Sequence, residues 1–132
     1  MNSDSPSHTP REGADVDAIL GRIASLAMAA AEIECRQAEH EGIYSMRHSL
    51  GLGIFLAGCE FSNLIGSARA PDDLAADPAL AAHLDDPVAL LLEAERLART
   101  LPGLVGRPGA ARAVVHLVDA TRETSQFEQA YS

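Results

Sequence analysis

The chain has no lysine and no tryptophan, only three phenylalanines and two tyrosines, and only two cysteines in 132 residues. Each shortage removes a class of reading. The ten basic residues are all arginine, a pattern that reads as the codon bias of a GC-rich genome. The Gly-rich stretch GLGIFLAG therefore cannot be a phosphate loop, which needs its Gly-Lys-Ser/Thr lysine. Few aromatics beside abundant alanine and leucine point to packed helices rather than sheets. Cys35 and Cys59 are too few for a disulfide framework and form no CxxC pair, so a reducing cytoplasm is the expected compartment.

Long apolar runs are also missing. The longest uninterrupted core, Leu50 to Cys59, is about half of the ~20 residues a membrane span needs, and Arg47, His48, Ser49, Glu60 and Asn63 break its flanks. No membrane partner is expected. The opening MNSDSPSHTPREG has no basic segment followed by an apolar one, so it reads as a disordered leader over 1–13 rather than a secretory signal, with one helical domain over 14–132.

Positive charge is scarce as well. The net charge is −9, and residues 1–42 carry eight acids against three arginines while 71–101 carry seven against two. A phosphate backbone is bound by neutralising it with a basic face, so no nucleic-acid partner is expected. The acidic surface serves solubility first.

What is present is helical periodicity. Val16, Ile19, Leu20, Ile23, Leu26, Ala27 and Ala30 form one stripe in a helix that starts near an N-cap at Asp15. Glu34, Gln37, Ala38 and Glu41 continue that stripe, so the same face turns from apolar to acidic. Gly42 is the expected break, because the apolar phase shifts by about half a turn there at ~100° per residue. A second helix follows, with Ile43, Met46, Leu50, Ile54, Ala57, Phe61, Leu64 and Ile65 on its main stripe and Leu52, Phe55, Leu56 and Cys59 on the opposite side.

The fold expected is all-α: a helical bundle built on a long antiparallel helical hairpin (about 15–41 and 43–67) plus two C-terminal helices (about 87–101 and 109–127). Ala70-Pro71-Asp72 reads as loop and 72–84 as one or two short helical turns. Asp86-Pro87 is a helix start, an acid cap followed by proline. Leu90, Ala94, Leu97 and Leu101 form the inner face of that helix, with Glu95 and Arg99 paired outside, and Pro102-Gly103 stops it. Ala110, Ala113, Val114, Leu117, Val118 and Thr121 line the last helix, which is expected to fray after Phe127. The seven-residue connection between these two helices is too long for a DNA-binding helix-turn-helix.

The second helix is apolar on every side at its centre and interrupted by Gly51, Gly53, Gly58 and Gly66. Each such glycine costs about 1 kcal/mol relative to alanine in a helix interior, so a close crossing with another backbone, within the chain or between copies, is the expected offset. An all-round apolar helix also needs covering on all sides. Leu52, Phe55, Leu56, Gly58 and Ser62 are accordingly the candidate interface residues.

Catalytic and metal signatures are sparse. Glu32, Cys35, Glu39, His40 and His48 are ligand-type side chains at plausible spacing, yet neither Glu-x-x-His nor HExxH occurs. A metal-binding bundle using the 32–48 segment stays as the alternative reading. Structural pairing is the simpler expectation: Glu32 with Arg36 at i,i+4, and Glu34 or Glu41 with Arg47 across the hairpin, fixing its register. Cys35 lies among carboxylates and Cys59 in an apolar helix, neither a setting that favours a nucleophilic thiolate. His116 belongs to a solvated polar face and His83 to local capping near Asp85 and Asp86, while Met46, Phe55 and Phe61 are candidates to line a small central cavity. The chain is thus expected to be no enzyme, to need no cofactor, and to act as a small cytoplasmic interaction protein (regulator, adaptor or chaperone-like). It would self-associate through the second helix and present acidic surfaces to a basic or amphipathic partner.

Overall fold

Helices occupy most of the computed structural model, which describes residues 10–41, 45–66 and 72–131. In chain order these are α1 (Pro10–Ala38), α2 (Met46–Asn63), a 3₁₀ turn at Leu74–Ala76, α3 (Pro78–Ala81), α4 (Pro87–Thr100), a second 3₁₀ turn at Leu104–Gly106, and α5 (Ala110–Tyr131). The fold is the expected all-α bundle, with no strand among the described residues.

Local chemistry sets most boundaries. Ser45 caps α2 by accepting the His48 N–H at 3.1 Å. Asp73, Asp77 and Asp86 cap the next three helical segments in the same way, and Pro78 and Pro87 occupy first-turn positions where a missing N–H has no consequence. Gly103 and Gly109 turn the chain with φ of 85° and 87°, the left-handed region that glycine enters without a Cβ clash. Three expected boundaries move. α1 starts at Pro10 rather than Asp15, with proline at its first position and the last residues of the expected leader already helical; the rest of that leader lies outside the described residues. α2 stops at Asn63 because Arg107 takes the Leu64 carbonyl at 2.7 Å and Asp17 takes the Gly66 N–H at 3.0 Å. α5 runs on to Tyr131, carried by Thr124 and Glu128, which extend its inner face. The expected break at Gly42, the place of Ile43 and the loop around Ala70-Pro71 lie outside the described residues.

Contacts close a ring of four helices: α1 packs on α2 and α4, and α5 packs on the same two. Residue pairs fix the directions. Glu128 near the end of α5 meets Arg47 at the start of α2, whereas Arg107 just before α5 meets Asp17 near the start of α1. α5 therefore runs parallel to α1 and antiparallel to α2. Gly103, after α4, lies against Val16, so α4 is antiparallel to α1. Ring neighbours all alternate in direction, the arrangement that favours adjacent helix dipoles.

The segment from 72 to 86 runs from the middle of α1 to its C-terminal end before reaching the start of α4. The Asp72 N–H bonds the Ser25 hydroxyl at 3.0 Å, Arg22 bonds Asp77, and Asp85 shares a surface hollow with Ile33, Arg36, Gln37 and His40. This crossover corrects the expected packing. The helix enclosed on most sides is α1, not α2: Ala24, Ala31, Ile33 and Ala38 are buried beside the expected Leu20, Ile23, Leu26, Ala27 and Ala30. The expected α1 stripe widens into three contact faces, for α2, α4 and the crossover. Among the described residues, α2 packs chiefly on its two ring neighbours.

Candidate functional site

On its inner side α2 presents Leu50, Gly51, Ile54, Ala57, Gly58 and Phe61, all buried. The two glycines lie seven residues apart and meet α1 at positions seven apart in the opposite sense. A Cβ on Gly51 would stand 2.6 Å from Cys35 Sγ and 3.3 Å from the Cys35 backbone nitrogen; one on Gly58 would stand 3.0 Å from Met28 Cε and 3.3 Å from Ala27 Cβ. The close crossing is therefore made within the chain, and Gly58, placed in the sequence-derived interface set, belongs to it rather than to the outer surface.

Gly53 is different, since nothing lies within 4 Å of its would-be Cβ. A matched pair of substitutions follows. Gly53→Ala is expected to stabilise by up to about 1 kcal/mol, the helix-propensity gain. Gly51→Ala has the same gain but forces Cys35 aside, and overpacking of this kind costs about 1–3 kcal/mol, so a net loss is expected. Urea unfolding of the two variants checks the signs.

The outer side of α2 is the candidate site. Leu52, Phe55 and Leu56 are 48%, 46% and 61% exposed, and with the half-buried Cys59 they follow the i, i+3, i+4, i+7 spacing of one helical strip. Ser49, Ser62 and Asn63 flank it and are exposed. The helix carries just two charged side chains, Arg47 and Glu60, and neither faces outward. Glu60 is held by Arg112 at 3.3 Å and by His116, so His116, expected on a merely solvated face, instead straps α5 to α2. The outer strip is left apolar and uncharged. Met46 departs from expectation: it is 63% exposed because it precedes the crossing, not satisfied inside the hairpin. Phe61 is fully buried while Phe55 points outward, so Met46, Phe55 and Phe61 do not converge on a cavity.

Arg47 fixes this helix in place. Its Nη1 lies 2.7 Å from one oxygen each of Glu34, Gln37 and Glu128, which share its two N–H donors, and its Nε donates to Glu41 at 3.1 Å. The guanidinium also lies 4.8 Å from the Phe127 ring centroid, a cation–π distance. One cation therefore gathers three carboxylates from α1, the turn after it and α5. Glu34 and Glu41 both meet Arg47 as the spacing implied, while Glu128 and Phe127 were not foreseen. Their signal was available: Leu117, Thr121, Thr124 and Glu128 continue one helical face, turning polar at the same end as the α1 stripe.

Glu34 is fully buried. Burial pushes its pKa up to about 7, and the neighbouring Glu128 adds to the rise against the opposing bond from Arg47. Arg47 is desolvated too, but its bonds to Glu34, Glu128 and Glu41 outweigh that and strengthen its hold on the proton. At the other end, Asp17 accepts from Arg107 at 2.6 Å, an ion pair joining α1 to the α4–α5 connection.

The metal-ligand set is not brought together. Glu32 pairs with Arg36 at 3.8 Å, Cys35 turns to Gly51, and Glu39 and His40 are exposed. Among the described residues no three His, Cys, Asp or Glu side chains converge to hold an ion. Nor is any described helix long and apolar enough to cross a membrane. No protein-family model, curated protein or solved structure matches the chain.

Proposed function

We propose that the protein acts by protein–protein interaction, with the outer face of α2 as its contact surface and self-association as its first consequence. The supporting observation is the pairing of two properties on one face: Leu52, Phe55 and Leu56 stand in solvent, and no charge accompanies them. Elsewhere exposed apolar residues sit among charges, Leu92 beside Glu93 and Arg96, Val115 near Arg112 and Asp119. Covering the half-exposed area of the three residues would contribute about 1 kcal/mol each before association costs. Acidic faces elsewhere give a basic or amphipathic protein a separate place to bind, consistent with a regulator, adaptor or chaperone-like factor. Two free thiols, Cys35 and Cys59, suit a reducing, cytoplasmic setting.

An α2 of 18 residues is about 27 Å long at ~1.5 Å per residue. A contact built on one such helix buries less than the ~800 Å² per partner of a stable complex, so association at roughly micromolar or weaker affinity is expected. Light scattering over a dilution series from about 300 to about 10 µM should show the mass fall from dimer toward monomer. A constant monomer mass over that range would overturn self-association.

A further inference from the structure

We propose that the second copy lies antiparallel on α2, with the two helices crossing between Phe55 and Leu56. This rests on the interaction reading above and adds its geometry. An isologous two-fold contact requires a surface that complements itself when turned end for end, and the strip has that property about its midpoint. Phe55 and Leu56 are the central pair, and Leu52 and Cys59 stand equally far out on either side. Beyond them come two hydroxyls, Ser49 and Ser62, which are exposed. Then come two polar side chains, His48 and Asn63. Antiparallel pairing sets each residue against its chemical counterpart on the other copy. Parallel pairing would set Phe55 on Phe55 and His48 on His48, and would align two helix dipoles unfavourably.

Charge points the same way. Each copy carries −9, so like copies meet with least repulsion across a face without ionised side chains, whereas a basic partner would seek carboxylates that this face does not offer. The ends of the bundle differ as well. Glu34, Glu41 and Glu128 gather on Arg47 at the start of α2, with Glu39 nearby, while Arg107 and Arg112 near its C-terminal end are matched by Asp17 and Glu60. Antiparallel pairing keeps the two acidic ends apart; parallel pairing would place them side by side.

Cysteine cross-linking reads the register. In a Cys35→Ala background, Leu52→Cys under mild oxidation with diamide should give a covalent dimer in which peptide mapping joins position 52 to Cys59 of the other copy. Facing positions on packed helices fall within disulfide reach. The full chain with Cys59 alone should give no Cys59–Cys59 bond under the same conditions. A second arm does not depend on residue 52: in a Cys35→Ala, Cys59→Ala background, an equimolar mixture of Ser49→Cys and Ser62→Cys should cross-link as a mixed dimer, with neither variant linking to itself. Efficient Cys59–Cys59 linkage, or self-linkage of Ser49→Cys, would mean parallel pairing and overturn the proposal while leaving self-association intact. Dimers that scatter light yet form none of these links would place the contact on another face, overturning both this geometry and the α2 reading. A monomer throughout would overturn self-association itself.

Discussion

Arg47→Met is expected to destabilise the fold by about 3–5 kcal/mol at pH 8, the usual cost of removing one partner from a buried ionic cluster. Methionine keeps most of the apolar stem against Phe127, so the loss isolates the guanidinium. Without it, Glu34, Glu41 and Glu128 face one another near a buried site with no cation among them, and Gln37 loses its donor. For a chain of 132 residues this corresponds to a drop in Tm of roughly 10–20 °C. Arg47→Lys is expected to recover only part of the loss, because an ammonium cannot spread its donors over the four oxygens as the planar fork does. Urea unfolding measures both variants. A loss below about 1 kcal/mol for Arg47→Met would mean that the cluster is screened like a surface ion pair.

The second large effect is a pH dependence. With the Glu34 pKa pushed up to about 7 in the fold by burial, against about 4.3 when unfolded, the native state holds a proton that the unfolded chain has already released. Stability is then fully present below the unfolded value and declines as pH rises through the window from about 4.5 to about 7. The groups facing Glu34 are Arg47, which opposes the rise, and Glu128, which reinforces it. Integrated over the window, the decline reaches about 3 kcal/mol. Glu34→Gln should remove that component, so the difference in unfolding free energy between wild type and variant should change with pH across this range. A difference constant from pH 5 to 8 would show that Glu34 does not titrate there. The Arg47→Met penalty should likewise shrink at pH 5, where Glu34 is protonated.

Much of this architecture was readable in advance because it rests on local rules. Asp86 followed by Pro87, the helix stop at Pro102-Gly103, the Glu95–Arg99 pair and the contact of Glu34 or Glu41 with Arg47 all follow from spacing a few residues wide or from the hairpin's phase. What stayed illegible depends on the crossover. Nothing local in the stretch from Asp72 to Asp86 says that it will lie along α1, yet that choice encloses α1 and, among the described residues, leaves α2 packed chiefly on α1 and α5. The reading that α2 needs cover on every side singled out Leu52, Phe55 and Leu56, which stand exposed, but periodicity could not say whether the chain itself would cover them. Gly58 shows the same limit from the other direction: its small size marks a close approach, and periodicity alone cannot tell whether the approaching backbone is α1 or another molecule. Asp17 and Arg107 are 90 residues apart, beyond any pattern that spacing can reveal.

Leu52, Phe55 and Leu56 stand open on the outer face of α2, and the proposed association closes that face. Sedimentation equilibrium on Leu56→Glu beside the wild type tests it most directly. Leu56 is 61% exposed, so a charge there should leave the monomer folded with stability within about 0.5 kcal/mol of wild type, while two opposed carboxylates at the crossing should abolish the dimer. Leu56→Glu should be a folded monomer at concentrations where the wild type is dimeric. Equal dimerisation of the two proteins would contradict it.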